Sequence, residues 1–228
     1  MKKLILFVAL NFFLLGCDQT EIINTSHISN TSQNEVQEET NAFIESQPTK
    51  IDSEIPNEKK IAIYLNPSVQ IHNMFYDNSC SEADAMNIVA NKIYSTLSKD
   101  VRFIVYINNN MKKLSESVKE SNSLKVDYHL ALHTNAGGGS GSECYYVNNS
   151  SFASNLLTTF TSHHSFPSRG IKNGNTLYEL KNSTAKNKAL IEFLFHDNAK
   201  EAEFIKANYD LLAASVVKTF TKIAESTL

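Results

Sequence analysis

The sequence predicts a single α/β domain, a mainly parallel twisted sheet with helices on both faces, preceded by a signal peptide and a disordered tether. Three observations carry this reading. From Lys60 onward, short β-rich runs alternate with stretches of helical spacing. That alternation implies right-handed crossovers and a sheet covered on both sides. Residues 1–17 read as two lysines, an apolar run from Leu4 to Leu15, then Gly16-Cys17. Residues 18–59 show no sustained apolar period.

The apolar run is about 12 residues, short of the roughly 20 needed to span a bilayer core but suited to a signal-peptide core. A buried N-terminal helix would need a polar face, which the run lacks. Its end, Leu14-Leu15-Gly16-Cys17, resembles the bacterial lipoprotein processing box. The resemblance implies that residues 1–16 are removed and that Cys17 carries lipid, which places the protein at the cell envelope, membrane-anchored and facing outward. Acyl chains contribute about 0.8 kcal/mol per buried CH₂, so several chains give durable anchoring. Between residues 18 and 60, nine Asp and Glu stand against Lys50, Lys59 and Lys60. Such a composition cannot bury enough apolar surface to offset ordering entropy, so residues 18–59 read as a tether.

The folded part begins with Lys60 to Asn66, a β-rich run closed by the turn Asn66-Pro67-Ser68. Ser81 is placed to cap a helix from Glu82 to about Leu97, with Met86, Val89, Ile93 and Leu97 on one face. Val101 to Ile107 reads as a second strand and Met111 to Leu124 as a polar helix with Leu114 and Val118 at its inner edge. Asp127 to His133 is a third strand, running into Gly137-Gly138-Gly139-Ser140-Gly141. Cys144 to Val147 is a fourth strand, Phe152 to about His163 another helix, and Leu177 to Leu180 a short strand. Ala189 to Phe195 is apolar but for Glu192, the pattern of a fully buried strand. Asp197 or Asn198 then caps a final helix over about 199–225.

Composition excludes several functions. The chain has a net charge of −3, and residues 61–228 hold 15 acidic and 16 basic residues, so nothing suggests a nucleic-acid coat. Three cysteines in 228 residues are too few for a disulfide scaffold. Cys80 and Cys144 both follow strand ends, which suits either a disulfide or two thiols.

In open α/β sheets chemistry collects at the carboxyl ends of strands. Three segments there hold suitable groups: Pro67 to His72 with Glu82 beyond, His133-Thr134-Asn135, and Glu192 with His196-Asp197-Asn198. Two histidines, a carboxylate and an open fourth position form a catalytic zinc set, with a further carboxylate to take the proton of water. His129 and His133 are four residues apart on one strand, roughly 13 Å, and cannot share a metal. His133, at the strand end, is the better placed. His163 and His164 close a helix, where the dipole favours a cation without any site. His196 suits the pocket wall. The glycine run lacks the Lys-Ser/Thr ending of a phosphate loop and reads as a rim.

From Lys60 to the C-terminus the sequence resembles the type-3, zinc-dependent N-acetylmuramoyl-L-alanine amidases. The likeness rests on Ile63-Tyr64-Leu65-Asn66-Pro67-Ser68, Glu82, Leu132-His133-Thr134-Asn135-Ala136, Arg169-Gly170-Ile171-Lys172, Leu177-Tyr178-Glu179-Leu180 and Ile191 to Asn198. It implies a His-Glu-His zinc site with one catalytic Glu, here His72, Glu82 and His133 with Glu192. The common motif sets the first His directly after Asp-Pro-Gly, whereas Asn66-Pro67-Ser68 is followed by Val69. His72, standing before Asn73, is the nearest substitute. With the leader and tether read above, the chain divides into a signal peptide over 1–16, Cys17 with a tether to 59, and, as the resemblance implies, a catalytic domain over 60–228. Its substrate would be the amide joining muramic acid to L-alanine in peptidoglycan, and its cofactor Zn²⁺. The altered first motif leaves one alternative, a catalytically inactive wall-binding lipoprotein with the same fold.

Overall fold

The computed structural model describes residues 59–227. The leader, Cys17 and the tether lie outside the described residues. Among those described, no helix is long and apolar enough to cross a membrane.

Six strands form one sheet: β1 (Ile61–Pro67), β2 (Phe103–Ile107), β3 (Tyr128–Asn135), β4 (Ser142–Val147), β5 (Ser168–Asn173) and β6 (Asn187–Phe195). Their spatial order is β2-β1-β3-β6-β4-β5. The pairs β1–β2, β1–β3, β3–β6 and β4–β5 are parallel, and only β4–β6 is antiparallel. The expectation of a mainly parallel sheet holds, with β4 and β5 reversed against the rest.

Helices α1 (Glu82–Leu97), α3 (Ser150–Thr161), α5 (Ala199–Ala207) and α6 (Tyr209–Thr227) enclose the main core. There Ile63, Leu65, Leu130, Leu132, Ile191 and Phe193 of the strands meet Met86, Val89, Ile93, Phe160, Val216 and Phe220. The opposite face carries the smaller helices α2 (Leu114–Ser123) and α4 (Tyr178–Asn182), over Tyr64 and Val126 in one cluster and Ala131, Leu180 and Leu190 in another. Period-2 alternation sorts the strands: odd residues of β6 enter the main core, while Leu190 and Glu192 face the thin layer.

Three elements differ from expectation. Leu177 to Leu180 is not a strand but the entry into α4, because Lys181 N–H bonds Leu177 C=O and the consecutive residues Glu179 and Leu180 are both buried. The final helix is two helices, broken at Asn208, whose side chain bonds Phe204 C=O in place of the helix ladder. Strand β5 was not anticipated. Its sequence Ser-Arg-Gly-Ile-Lys-Asn is polar because it is an edge strand with no fully buried position. Cys144 is a free buried thiol, so no Cys80–Cys144 bridge forms, and Cys80 lies against the Tyr209 hydroxyl.

Candidate active site

Ser81 fixes the start of α1. Its hydroxyl accepts from Asp84 N–H while the Asp84 carboxylate accepts from Ser81 N–H, a closed capping box. Glu82 is thereby held at the first helical position, at the carboxyl end of β3, and is 1% exposed. Its Oε1 lies 2.8 Å from His133 Nδ1 and accepts from Thr134 N–H at 3.2 Å. Its Oε2 accepts from Asn73 Nδ2 at 2.9 Å.

His133, Glu192 and Glu143 occupy one row across three strands. His133 pairs with Glu192 in the β3–β6 ladder, and Glu192 pairs with Glu143 in the β6–β4 ladder. Directly paired residues project to one face with Cβ atoms about 5 Å apart. Glu192 Oε2 is buried and has no hydrogen-bond partner. Burial, joined by the charges of Glu82 and Glu143, raises the Glu192 carboxyl to about 7 against the pull of His133. Burial alone would lower His133, but the bond to Glu82 and the charges of Glu192, Glu82 and Glu179 hold it at about 9. Burial of Glu82 is likewise outweighed by His133, and its carboxyl falls below the usual range.

The turn Gln70–Asn73 closes the site from above. Asn73 Nδ2 donates to Gln70 Oε1 at 2.8 Å, and Gln70 Nε2 is 3.4 Å from His133 Nδ1. His72, on the same turn, is exposed. The structure thus brings Glu82, His133 and Glu192 together, while His72 makes no hydrogen bond or ion pair with them among the described residues. Among the described residues no three His, Cys, Asp or Glu side chains are gathered as a ready metal site.

The groups present suit a divalent cation at two of three donor positions. A carboxylate oxygen and an imidazole nitrogen face each other, the ligand types zinc takes. His133 Nδ1 cannot donate to Glu82 and also accept from the Gln70 amide nitrogen, so three polar groups converge on one point that their own hydrogen bonds do not fully satisfy. The orphaned Glu192 oxygen beside them is a free proton acceptor.

Several neighbours were not legible as site residues. Glu179 of α4 is buried and accepts from Asn66 Nδ2 at 2.5 Å, with His129 Nε2 at 2.7 Å. His129 Nδ1 meets Ser121 Oγ at 2.8 Å, and its ring stacks on Tyr64. His129 is therefore a buried structural partner, as its position four residues before His133 suggested. His196 is buried, with Nδ1 2.9 Å from Thr134 Oγ1 and its ring on Phe75. Asn198 caps α5, while Asp197 accepts from the N–H groups of Gly137 and Gly138 and ties down the rim. On the far side Glu143 accepts from Arg169 Nε at 2.6 Å and Lys172 Nζ at 2.5 Å. Only the long-range pairing of β4 with β5 and β6 assembles this cluster, which no local sequence signal reports.

An imidazole bonded to a buried carboxylate, with an unpaired carboxylate beside it at the edge of a mostly parallel sheet, is the kind of group set that hydrolytic enzymes use. The chain belongs to the N-acetylmuramoyl-L-alanine amidase family, whose model matches residues 70–222. It is an enzyme for hydrolysis of the muramic acid–L-alanine amide of peptidoglycan, acting outside the cytoplasm. The family typically depends on zinc. No curated protein sequence matches the chain. Its fold is similar to that of the catalytic domain of CwlV, an N-acetylmuramoyl-L-alanine amidase from Bacillus (Paenibacillus) polymyxa var. colistinus. That match has a TM-score of 0.66 and 20% identity and covers 72% of this chain and 98% of that chain. An N-acetylmuramoyl-L-alanine amidase from Clostridium difficile 630 has a TM-score of 0.66 and 21% identity, over 75% of this chain and 100% of that one. AmiC2 of Nostoc punctiforme has a TM-score of 0.65 and 12% identity, over 72% and 97%.

Proposed function

We propose that the protein is a zinc-dependent, membrane-anchored peptidoglycan amidase in which Glu82, His133 and His72 hold the metal and Glu192 moves the proton. The observation that carries this reading is the row His133–Glu192 with Glu82 bonded to its first member. His72 joins the set on chemical grounds. It sits on the same turn as Gln70 and Asn73, and a neutral imidazole is a far better zinc donor than the Gln70 carboxamide. Its participation requires the exposed turn to bring it inward.

Zinc bound at this position would polarise the amide carbonyl and bring the pKa of water near neutrality. The rest is done by side chains. Glu192, ionised and unpaired at Oε2, takes the proton of the water that adds to the carbonyl carbon. It then returns that proton to the amide nitrogen as the C–N bond breaks and L-alanine leaves as an amine. A carboxyl raised to about 7 serves both transfers at neutral pH. Asn73, which donates to Glu82 Oε2, orients that carboxylate, as outer partners of metal ligands do.

Digestion of purified peptidoglycan tests the reaction. The products should carry new L-alanine amines and no new reducing sugar ends. Reducing ends without new amines would sink the reading, and intact polymer from a protein that takes up no zinc when zinc is supplied would mark a wall-binding domain instead. Anchoring rests on the Leu14-Leu15-Gly16-Cys17 box, and labelled palmitate should enter the wild-type chain but not Cys17→Ala.

A further inference from the structure

We propose that Arg169 and Lys172, gathered on buried Glu143, form a subsite for a free carboxylate on the stem peptide, on the leaving side of the scissile amide. This inference rests on the reaction proposed above and names which part of the substrate the site recognises.

The charge balance of the cluster is the first argument. Glu143 is 3% exposed and accepts four bonds: from Asn135 Nδ2 at 3.1 Å, Tyr145 OH at 2.8 Å, Arg169 Nε at 2.6 Å and Lys172 Nζ at 2.5 Å. These four fill the acceptor sites of one carboxylate. One cation would have neutralised it. A second gives the group Glu143, Arg169 and Lys172 one net positive charge, which Glu192 beside it offsets only while ionised, and both cationic side chains are 38% exposed.

The second argument is orientation. Arg169 spends its Nε on Glu143, and its Cζ lies 5.1 Å from the centre of the Phe195 ring. No hydrogen bond from its two Nη groups is present among the described residues. A guanidinium fixed at Nε and seated by a ring offers its remaining donors in one direction, the geometry that suits a carboxylate. Lys172 is likewise set over the Tyr145 ring at 5.6 Å.

The third argument is order along the sheet. Neighbouring strands carry His133 on β3, Glu192 on β6, Glu143 on β4, and Arg169 and Lys172 on β5. The substrate presents its groups in the same sequence: carbonyl oxygen, amide nitrogen, then the peptide with its carboxylates. The sugar side offers hydroxyl and acetamido groups but no carboxylate for a surplus cation to meet.

The test uses two muramyl peptides that differ in one group. Both carry D-glutamate with its γ-carboxyl capped as an amide, as it is in the polymer; one keeps the α-carboxylate free and the other has it amidated. The zinc-loaded wild type should favour the free acid by about tenfold or more in kcat/KM, mostly through KM. Arg169→Gln should lose that preference while Lys172 still pairs Glu143, and Arg169→Lys should restore part of it. Equal rates on acid and amide by an active wild type, or an undiminished preference in Arg169→Gln, would overturn the subsite and leave the amidase reading intact. Inactivity of the wild type on both compounds and on whole peptidoglycan would instead fail the amidase reading. In that event calorimetry of the two compounds with Glu192→Gln decides the subsite, which requires tighter binding of the acid.

Discussion

His133 and Glu192 stand opposite one another in the β3–β6 ladder, so the site's imidazole and its unpaired carboxylate share one face at the carboxyl edge of the sheet. Because both positions are set by backbone pairing, their separation is insensitive to loop motion. Glu192→Gln keeps the shape and removes the proton acceptor. We expect kcat to fall by about 10²–10⁴-fold, the usual worth of a positioned acid–base. Zinc content should stay at the wild-type level. Metal analysis alongside product-resolved digestion checks both halves, and a variant that loses zinc would make Glu192 a ligand.

Glu82 and His133 differ from Glu192 in what their loss removes. His133→Ala and Glu82→Ala should abolish tight zinc binding and activity together. The turn above them is decided by comparing His72→Ala with Gln70→Ala in zinc titrations. His72→Ala should weaken binding by at least tenfold, whereas Gln70→Ala should leave it near wild type. The reverse ranking would make the Gln70 carboxamide the third donor. Titration with Co²⁺, followed by its visible absorption, reports the same ranking without turnover.

Much of the site was legible because its strands announce themselves. Ala189 to Phe195 is apolar except at Glu192, and a lone acid in a buried run marks its own importance. Ser81 gave the start of α1, and hence the place of Glu82. What was not legible depends on distant pairing. The polar edge strand β5 carries no alternation, so Arg169 and Lys172 could not be set beside Glu143, 26 and 29 residues away. Glu179 read as part of a strand and proved to be a helical residue facing His129, 50 residues distant. His72 sits in the turn closed by Asn73 N–H on Gln70 C=O, and a residue count cannot reveal how such a turn exposes it.

The rim loop offers a stability test with an internal control. Gly141 has a φ of +99°, and a Cβ there would fall 2.2 Å from the Pro167 carbonyl oxygen. That oxygen is backbone and already accepts from Ser142 N–H at 2.9 Å, so it cannot retreat cheaply. Gly138 has a φ of +71° but open space around its Cβ position. Gly138→Ala should cost only backbone strain, on the order of 1–3 kcal/mol. Gly141→Ala should cost clearly more. Urea denaturation ranks them, and equal losses would refute the steric account.

The metal-free protein should lose stability as pH rises from about 5 to about 9. Burial raises Glu192 from an ordinary 4.5 to about 7, so the folded chain keeps a proton that the unfolded chain gives up. Stability from that proton is whole below 4.5 and declines as pH climbs to about 7. His133 rises from 6.5 to about 9, so its contribution is whole below 6.5 and is lost on passing about 9. Both groups act in the same direction because both folded values are raised. Each proton held only by the folded state tilts stability by at most about 1.4 kcal/mol per pH unit. Glu143, lowered to about 2 by its cations and hydrogen bonds against the cost of burial, acts only in the acid range and leaves this window untouched. Urea melts of chelated protein at pH 5, 7 and 9 measure the slope. Glu192→Gln should flatten its lower half and His133→Gln its upper half. Zinc should reverse the trend, because its ligands bind only after losing their protons. A metal-free protein equally stable at pH 5 and pH 9 would show that neither side chain is held in its protonated form by the fold.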